Sequence, residues 1–125
     1  EFDEAAQYEL FLCQLLIGVG RARRGEALIA GEHVRSWAVG NLVGLIRHWQ
    51  HPVRGTESIG DNLNRLRRFE KQYPTLGIRI ASAQEKSVED CARALLEVAL
   101  ETGGGNLSRE QHAQAAVVSS RLGWS

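Results

Sequence analysis

The spacing of apolar residues restricts this chain more than any other feature. In the first segment they recur three and four positions apart, which places them on one side of a helix: Tyr8, Phe11, Leu12, Leu15, Leu16 and Val19. The same spacing returns in three further segments. The apolar–polar alternation that is typical of strands never lasts beyond a few positions. We therefore predict an all-α fold, an antiparallel bundle of five to six helices joined by short loops.

Helix boundaries follow from residues that start or stop helices. Ser87 resembles the start of a capping box, and the residue before a proline is disfavoured in the α region. Glycines 31, 40 and 44 are expected either to allow close helix packing or to mark a bend near Gly31. The first three predicted helices are residues 4–24, 28–50 and 59–73, the last of these with Asp61 as N-cap. A short helix is expected after Pro74, and a longer one is expected to begin after Ser87 and to end at Gly103–Gly105. The last predicted helix begins at Asn106 or Ser108.

The predicted core contains the apolar residues that recur at helical spacing. Its members are Phe11, Leu12, Leu15, Leu16, Val34, Trp37, Leu42, Leu45, Ile46, Leu63, Leu66, Leu95 and Val98. Ala113, Ala116 and Val117 are expected on the apolar side of the last helix. Cys13 and Cys91 lie in apolar stretches, so we expect buried thiols, with a disulfide as the alternative.

Composition narrows the function classes. The 125 residues carry 15 basic and 15 acidic side chains, a formal net charge of zero. A chain with no net positive charge is not expected to be a dedicated nucleic-acid binder.

No apolar run is long enough to span a membrane and no secretory leader is visible, so a cytoplasmic protein is expected. Because methionine is absent and the chain opens Glu1-Phe2-Asp3, we expect 1–125 to be a single helical domain taken from a larger chain.

The familiar phosphate and metal motifs are missing. Gly103–Gly105 follows a helix and is interpreted as a helix stop, since no Walker or dinucleotide-binding pattern surrounds it. His48 and His51 have no carboxylate at a matching offset, so no metal site is predicted.

A basic cluster is the clearest candidate binding feature. Arg65, Arg67, Arg68 and Lys71 lie close together in the predicted third helix. They form either a solvated helix face or a docking surface for phosphates or for an acidic partner, because guanidinium groups match planar anions.

Several segments resemble the helical C-terminal half of small-molecule nucleotidyltransferases of the aminoglycoside and lincosamide resistance type. The resemblance rests on Arg-Arg-Gly-Glu-Ala at 23–27, Gly-Leu-Ile-Arg-His-Trp at 44–49, Arg-Arg-Phe-Glu at 67–70 and Tyr73-Pro74. It covers roughly residues 5–101 and implies a substrate-binding and dimerisation domain.

The catalytic signature of that family is not in this chain. The family holds Mg²⁺ and a nucleoside triphosphate with a Gly-Ser that is followed by a closely spaced carboxylate pair, whereas this chain has no Gly-Ser dipeptide and no Asp-x-Asp. The resemblance therefore implies that an upstream nucleotidyltransferase domain, or a partner chain, supplies metal, nucleotide and turnover.

The alternative is a free-standing protein–protein interaction module. The chain also resembles the HEPN-type helical partners of minimal nucleotidyltransferases. The arginine–histidine motif of the HEPN ribonucleases is missing, because no histidine follows an arginine at the required distance.

The nucleotidyltransferase resemblance also implies where an acceptor would bind. In that family the acceptor lies against the start of the helical half, with an acidic residue as general base. Glu4 and Glu9 are the candidate bases in this chain, and Tyr8, Glu32 and His33 are candidate substrate contacts.

A homodimer is the remaining expectation. The first two helices are the predicted seam, where Tyr8, Phe11 and Trp37 bury area against a second copy. The alternative is that one chain buries these aromatic residues internally.

Overall fold

A computed structural model describes residues 1–60 and 63–125 of the chain, and no strand occurs among them. The all-α prediction is confirmed. In chain order the elements are α1 (Glu4–Arg23), α2 (Ala27–Gly31), a π-helix (Glu32–Ala38), α3 (Val39–Trp49), α4 (Phe69–Gln72), α5 (Pro74–Gln84), α6 (Val88–Gly103), a 3₁₀ turn (Gly104–Asn106) and α7 (Arg109–Leu122).

The first two helical runs form an antiparallel hairpin. Asp3 caps α1 by accepting a hydrogen bond from the Ala6 amide, and Gly25 turns the chain with a φ of +83°. The second run is continuous from α2 through the π-helix to α3. Asn41 donates to the Gln7 side chain at 2.9 Å, whereas Gly18 packs against Val34, so the two runs point in opposite directions.

The π-helix has a counterpart in the sequence. Five fully buried residues follow one another at intervals of four: Ala30, Val34, Ala38, Leu42 and Ile46. In an α-helix of about 3.6 residues per turn this spacing would drift around the axis. A π-helix has i→i+5 hydrogen bonds and more residues per turn than an α-helix. It therefore offsets the drift, so that these five residues all face the core. The backbone at Gly31 stays helical, with a φ of −61°, and the helix changes from α to π after this residue.

The remaining helices pack on the hairpin with conventional ends. Ser87 caps α6, as predicted, by accepting from the Asp90 amide at 3.2 Å. Ser108 and Gln111 form a reciprocal capping box at the start of α7. Antiparallel packing of α5 and α6 is marked by the ion pair between Arg79 and Glu101 at 3.0 Å.

One hydrophobic core joins these helices. Most of the predicted core residues are buried, and Leu16 is partly buried against them. The confirmed members are Phe11, Leu12, Leu15, Val34, Leu42, Leu45, Ile46, Leu95 and Val98.

The predicted helix over 59–73 is wrong for most of its length. Turns and loop precede a single helical turn at α4, and Leu63 is 98% exposed. The Asn64 side chain accepts from the Leu66 amide at 3.1 Å, and such local bonds compete with helix formation. Arg68 has a φ of +66°, which interrupts the helix before Phe69. Asp61, the predicted N-cap, lies outside the described residues.

Other predicted core positions are exposed. Trp37 and Leu66 both expose 44% of their surface. Cys13 is exposed whereas Cys91 is buried, and both thiols are free. In α7 the helix is rotated relative to the prediction: Ala115, Val118 and Leu122 are buried, and Ala113, Ala116 and Val117 face outward.

Among residues 1–60 and 63–125, no helix combines the length and apolar character that a membrane span requires.

Candidate functional site

Arg47 is the central residue of the candidate site. It lies in the last turn of α3, and its guanidinium group lies over the rings of Phe69, at 5.3 Å, and Tyr73, at 5.8 Å. It donates to the side-chain oxygen of Gln72 and, at 2.8 Å, to the main-chain carbonyl of Arg65. These contacts hold its planar group in one orientation.

The short helix α4 is tied to the end of α3, which explains how these residues meet. The Tyr73 hydroxyl donates to the Gln50 carbonyl at 2.9 Å, and the Val53 amide donates to the Gln72 carbonyl at 2.9 Å. Gln72 also donates from Nε2 to the Thr56 carbonyl at 3.0 Å. The loop after α3 is therefore fastened to α4 from several sides.

Arg65 completes a cleft on the outer side of α3. Its Nη1 would lie 2.9 Å from a Cβ added at Gly44, so glycine lets the guanidinium group approach the helix backbone. Phe2 lies beside the same glycine and stacks on His48 with ring centroids 5.1 Å apart. The resulting cleft of about 280 Å³ is lined by Phe2, Gly44, Arg47, His48 and Arg65.

The electrostatics of the cleft are those of an anion site. Burial lowers the pKa of Arg47, the nearby Tyr73 opposes that shift, and the neighbouring charge of Arg65 lowers it further. Among the residues that the structure describes, no carboxylate forms an ion pair with Arg47 or Arg65. The two positive charges thus lie close together with no ion-pair partner among the described carboxylates, and an oxyanion bound between them would reduce their repulsion.

Of the predicted docking arginines, only Arg65 lines this cleft. Arg68 precedes α4 and its Nη1 lies 3.4 Å from the Ile59 carbonyl. The Arg67 amide donates to the Asn64 carbonyl at 3.2 Å. Because residues 65–68 are not helical, Arg65, Arg67, Arg68 and Lys71 do not lie on one helix as predicted.

Two of the candidate acceptor contacts, Glu4 and Tyr8, have internal partners. The Glu4 carboxylate accepts from Trp49 Nε1 at 3.0 Å and from Gln111 Nε2 at 2.9 Å. Tyr8 is fully buried, and its hydroxyl donates to the Gln111 carbonyl at 2.8 Å. Burial, with a smaller contribution from Glu4, raises the pKa of Tyr8 to about 12. Both residues join α1 to neighbouring helices.

The other acceptor candidates are not gathered around one point. Glu9 is exposed and lines a second cleft of about 290 Å³ with Glu4 and Glu110. His33 lies farther along the hairpin, where its Nδ1 is 2.6 Å from Gln14 Oε1, and Glu32 beside it is exposed. Gln14 follows Tyr8 by six residues, which is about 9 Å along a helix. The structure therefore does not bring Glu32 and His33 together with Tyr8.

In the part of the chain that the structure describes, no three His, Cys, Asp or Glu side chains come together as a possible metal site.

Sequence reasoning missed four members of the basic cleft, namely Phe2, Gly44, Arg47 and His48. In the sequence, Gly44 is interpreted only as a glycine that allows close helix packing, and His48 only as a possible metal ligand. Arg47 and Arg65 are 18 positions apart, so no local spacing predicts that they meet.

Comparison with known proteins identifies no family for this fold and cleft: no family model, curated protein or solved structure matches the chain.

Proposed function

We propose that this chain is a helical binding domain whose basic cleft recognises an oxyanion, in the first place a phosphate group. The observation that carries the proposal is the pair of guanidinium groups of Arg47 and Arg65, which share a cleft without a described carboxylate partner. Arginine forks match phosphate oxygens, and the stacking of Arg47 on two rings presets its orientation.

The sequence resemblance suggests a setting for this activity. As the substrate-binding domain of a nucleotidyltransferase-like protein, the chain would hold a phosphate-bearing group near the start of α1. An upstream domain or a partner chain would supply Mg²⁺, nucleoside triphosphate and turnover. The phosphate proposal itself needs only the cleft.

The test is a titration with inorganic phosphate at constant ionic strength, followed by amide NMR shifts. Saturable shifts at Gly44 and His48 are expected. Arg65→Ala removes one charged fork without removing a buried side chain, and a charge-assisted hydrogen bond is worth about 1.5–3 kcal/mol. Phosphate affinity should therefore fall tenfold or more.

Arg109→Ala is the matched control, because Arg109 is an exposed arginine at the start of α7, outside the cleft. Its phosphate affinity should equal that of the parent chain. Equal losses in both variants, or shifts scattered over all arginines, would refute a built site. If phosphate does not bind but an acidic peptide binds in an Arg65-dependent way, the cleft docks a protein and the phosphate proposal is wrong.

The second candidate function is a free-standing interaction module. It is favoured by a separate observation, namely the apolar residues that α1 exposes on the side away from the core.

A further inference from the structure

Helix α1 is apolar on two opposite sides. One side packs into the core through residues such as Tyr8, Phe11 and Leu15. The other side faces outward, yet Leu10 is 47% and Ile17 is 44% exposed there. Apolar side chains that a helix exposes in a row are typical of surfaces that bind another protein.

The apolar residues of the outer side, Ala6, Leu10, Cys13 and Ile17, recur three and four positions apart. Positions three and four residues apart alternate along the whole helix, which is the spacing of a helix-packing seam. These positions are Asp3, Ala6, Leu10, Cys13, Ile17, Gly20 and Arg24. All are exposed except Gly20, which is partly exposed.

The neighbouring run widens this surface. Gln14 lies between Leu10 and Ile17 on α1 and contacts His33 at 2.6 Å. His33 in turn meets the half-exposed Trp37 edge to face, with ring centroids 4.9 Å apart. Two adjacent helices about 30 Å long and 10 Å wide present about 600 Å², compared with about 800 Å² per partner in a standard interface. The two copies together would bury about 1,200 Å², which is the lower end of the range for specific interfaces.

The distribution of charge along α1 favours antiparallel packing against the α1 helix of a second copy. Glu1 and Asp3 make the first end acidic. Arg21 and Arg24 lie at the other end and share the carboxylate of Glu26, which leaves one positive charge in excess. In an antiparallel pair each acidic end meets the partner's basic end, and the two helix dipoles oppose each other favourably. A parallel pair would bring like charges together.

We infer that the outer face of α1, flanked by Trp37, binds the same face of a second copy of this chain in an antiparallel, two-fold arrangement. This inference is independent of the proposed phosphate site, because none of its residues lines the basic cleft. It also replaces the predicted seam in part: Tyr8 and Phe11 are fully buried within one chain, and Trp37 alone stays available.

Sedimentation equilibrium tests the association over a range of micromolar concentrations. The parent chain should approach twice the 13.8 kDa mass of one copy as concentration rises. Ile17→Glu introduces a charge at the centre of the seam and should weaken dimerisation at least tenfold. Ile78→Glu is the control, since Ile78 is 66% exposed on α5, away from the seam.

Circular dichroism verifies that both variants keep the helical fold. A parent chain that stays monomeric would overturn the inference. A dimer that survives Ile17→Glu, or that Ile78→Glu weakens equally, would overturn it too.

Cross-linking tests the direction of packing. Cys13 is near the middle of α1, so the two Cys13 thiols of an antiparallel pair lie near the two-fold axis and a short bis-maleimide should join them. In a Cys13→Ser/Ala6→Cys variant the new thiols lie near opposite ends of the seam and should not be joined. Efficient cross-linking of that variant would show parallel packing and refute the antiparallel arrangement.

Discussion

At the residue scale, Glu89 connects three separate parts of the bundle. Its carboxylate accepts two hydrogen bonds from Arg23 of α1, at 2.9 and 2.6 Å, and one from Trp124 Nε1 at 3.0 Å. Arg23 also donates to the Leu122 carbonyl at 2.6 Å. One acidic residue at the start of α6 therefore links the end of α1 to the end of the chain.

These bonds make the Glu89 carboxyl a source of acid-dependent stability. The Arg23 hydrogen bonds, followed by the Trp124 bond, lower its pKa to about 2 from a usual 4.5. Because the folded pKa is depressed, the stabilisation is complete above about pH 4.5 and is lost as the pH falls toward 2. Glu89→Gln should lower the free energy of unfolding by about 1 kcal/mol at pH 7, a modest value because the site is partly exposed. Between pH 2 and 4.5 the stability of this variant should depend less on pH than that of the parent chain.

Urea unfolding at a series of pH values measures this effect. Glu97→Gln, at an exposed position of the same helix, is the control and should keep the acid dependence of the parent chain. An unchanged pH profile in Glu89→Gln would contradict the role of the Arg23 and Trp124 bonds.

At the scale of the elements, the hairpin depends on a close approach between α1 and the π-helix. A Cβ at Gly18 would lie 2.5 Å from Val34 Cγ2 and 3.0 Å from His33 Cβ. Nothing would lie within 4 Å of a Cβ at Gly40. The two glycines therefore have different roles, although both lie inside helices.

This difference predicts opposite effects of the same substitution. Gly18→Ala should destabilise the chain by about 1–3 kcal/mol, because the added methyl group overpacks the hairpin. Gly40→Ala should stabilise it by about 0.5–1 kcal/mol, because alanine loses less backbone entropy in a helix. Chemical denaturation of both variants, compared with the parent chain, provides the measurement. A Gly18→Ala variant as stable as Gly40→Ala would contradict the close approach.

At the scale of the whole molecule, one core connects the hairpin to α5, α6 and α7. Cys91 is fully buried in it, and burial raises the pKa of its thiol to about 11. Cys13 lies outside the core. Reaction of the Cys13 thiol therefore reports accessibility at the surface, and reaction of the Cys91 thiol reports global opening of the fold.

A thiol reagent at neutral pH should distinguish them. At low protein concentration Cys13 should react at once, and Cys91 only as fast as the bundle opens. Leu45→Ala removes fully buried volume and should cost about 2–5 kcal/mol, so Cys91 should react more than tenfold faster. The rate of Cys13 should not change. Rapid reaction of both thiols in the parent chain would contradict a single closed core.

Local rules predicted most of this fold because they concern contiguous residues. The 3.6-residue spacing predicted the all-helical class, and the helix ends expected near residues 24, 50 and 103 agree with helices that end at Arg23, Trp49 and Gly103. The sequence also carried signals that were missed. The four-residue spacing from Ala30 to Ile46 is the pattern of the π-helix.

By itself, then, the sequence determined where most helices begin and end, although not over 59–68, because capping bonds and helical hydrogen bonds join near neighbours along the chain. Only the tertiary structure decided which face of α7 is buried, that Leu63 and Trp37 are exposed, and that Arg47 meets Arg65. These outcomes depend on competition between distant segments for the same core, and no local period records which segment wins.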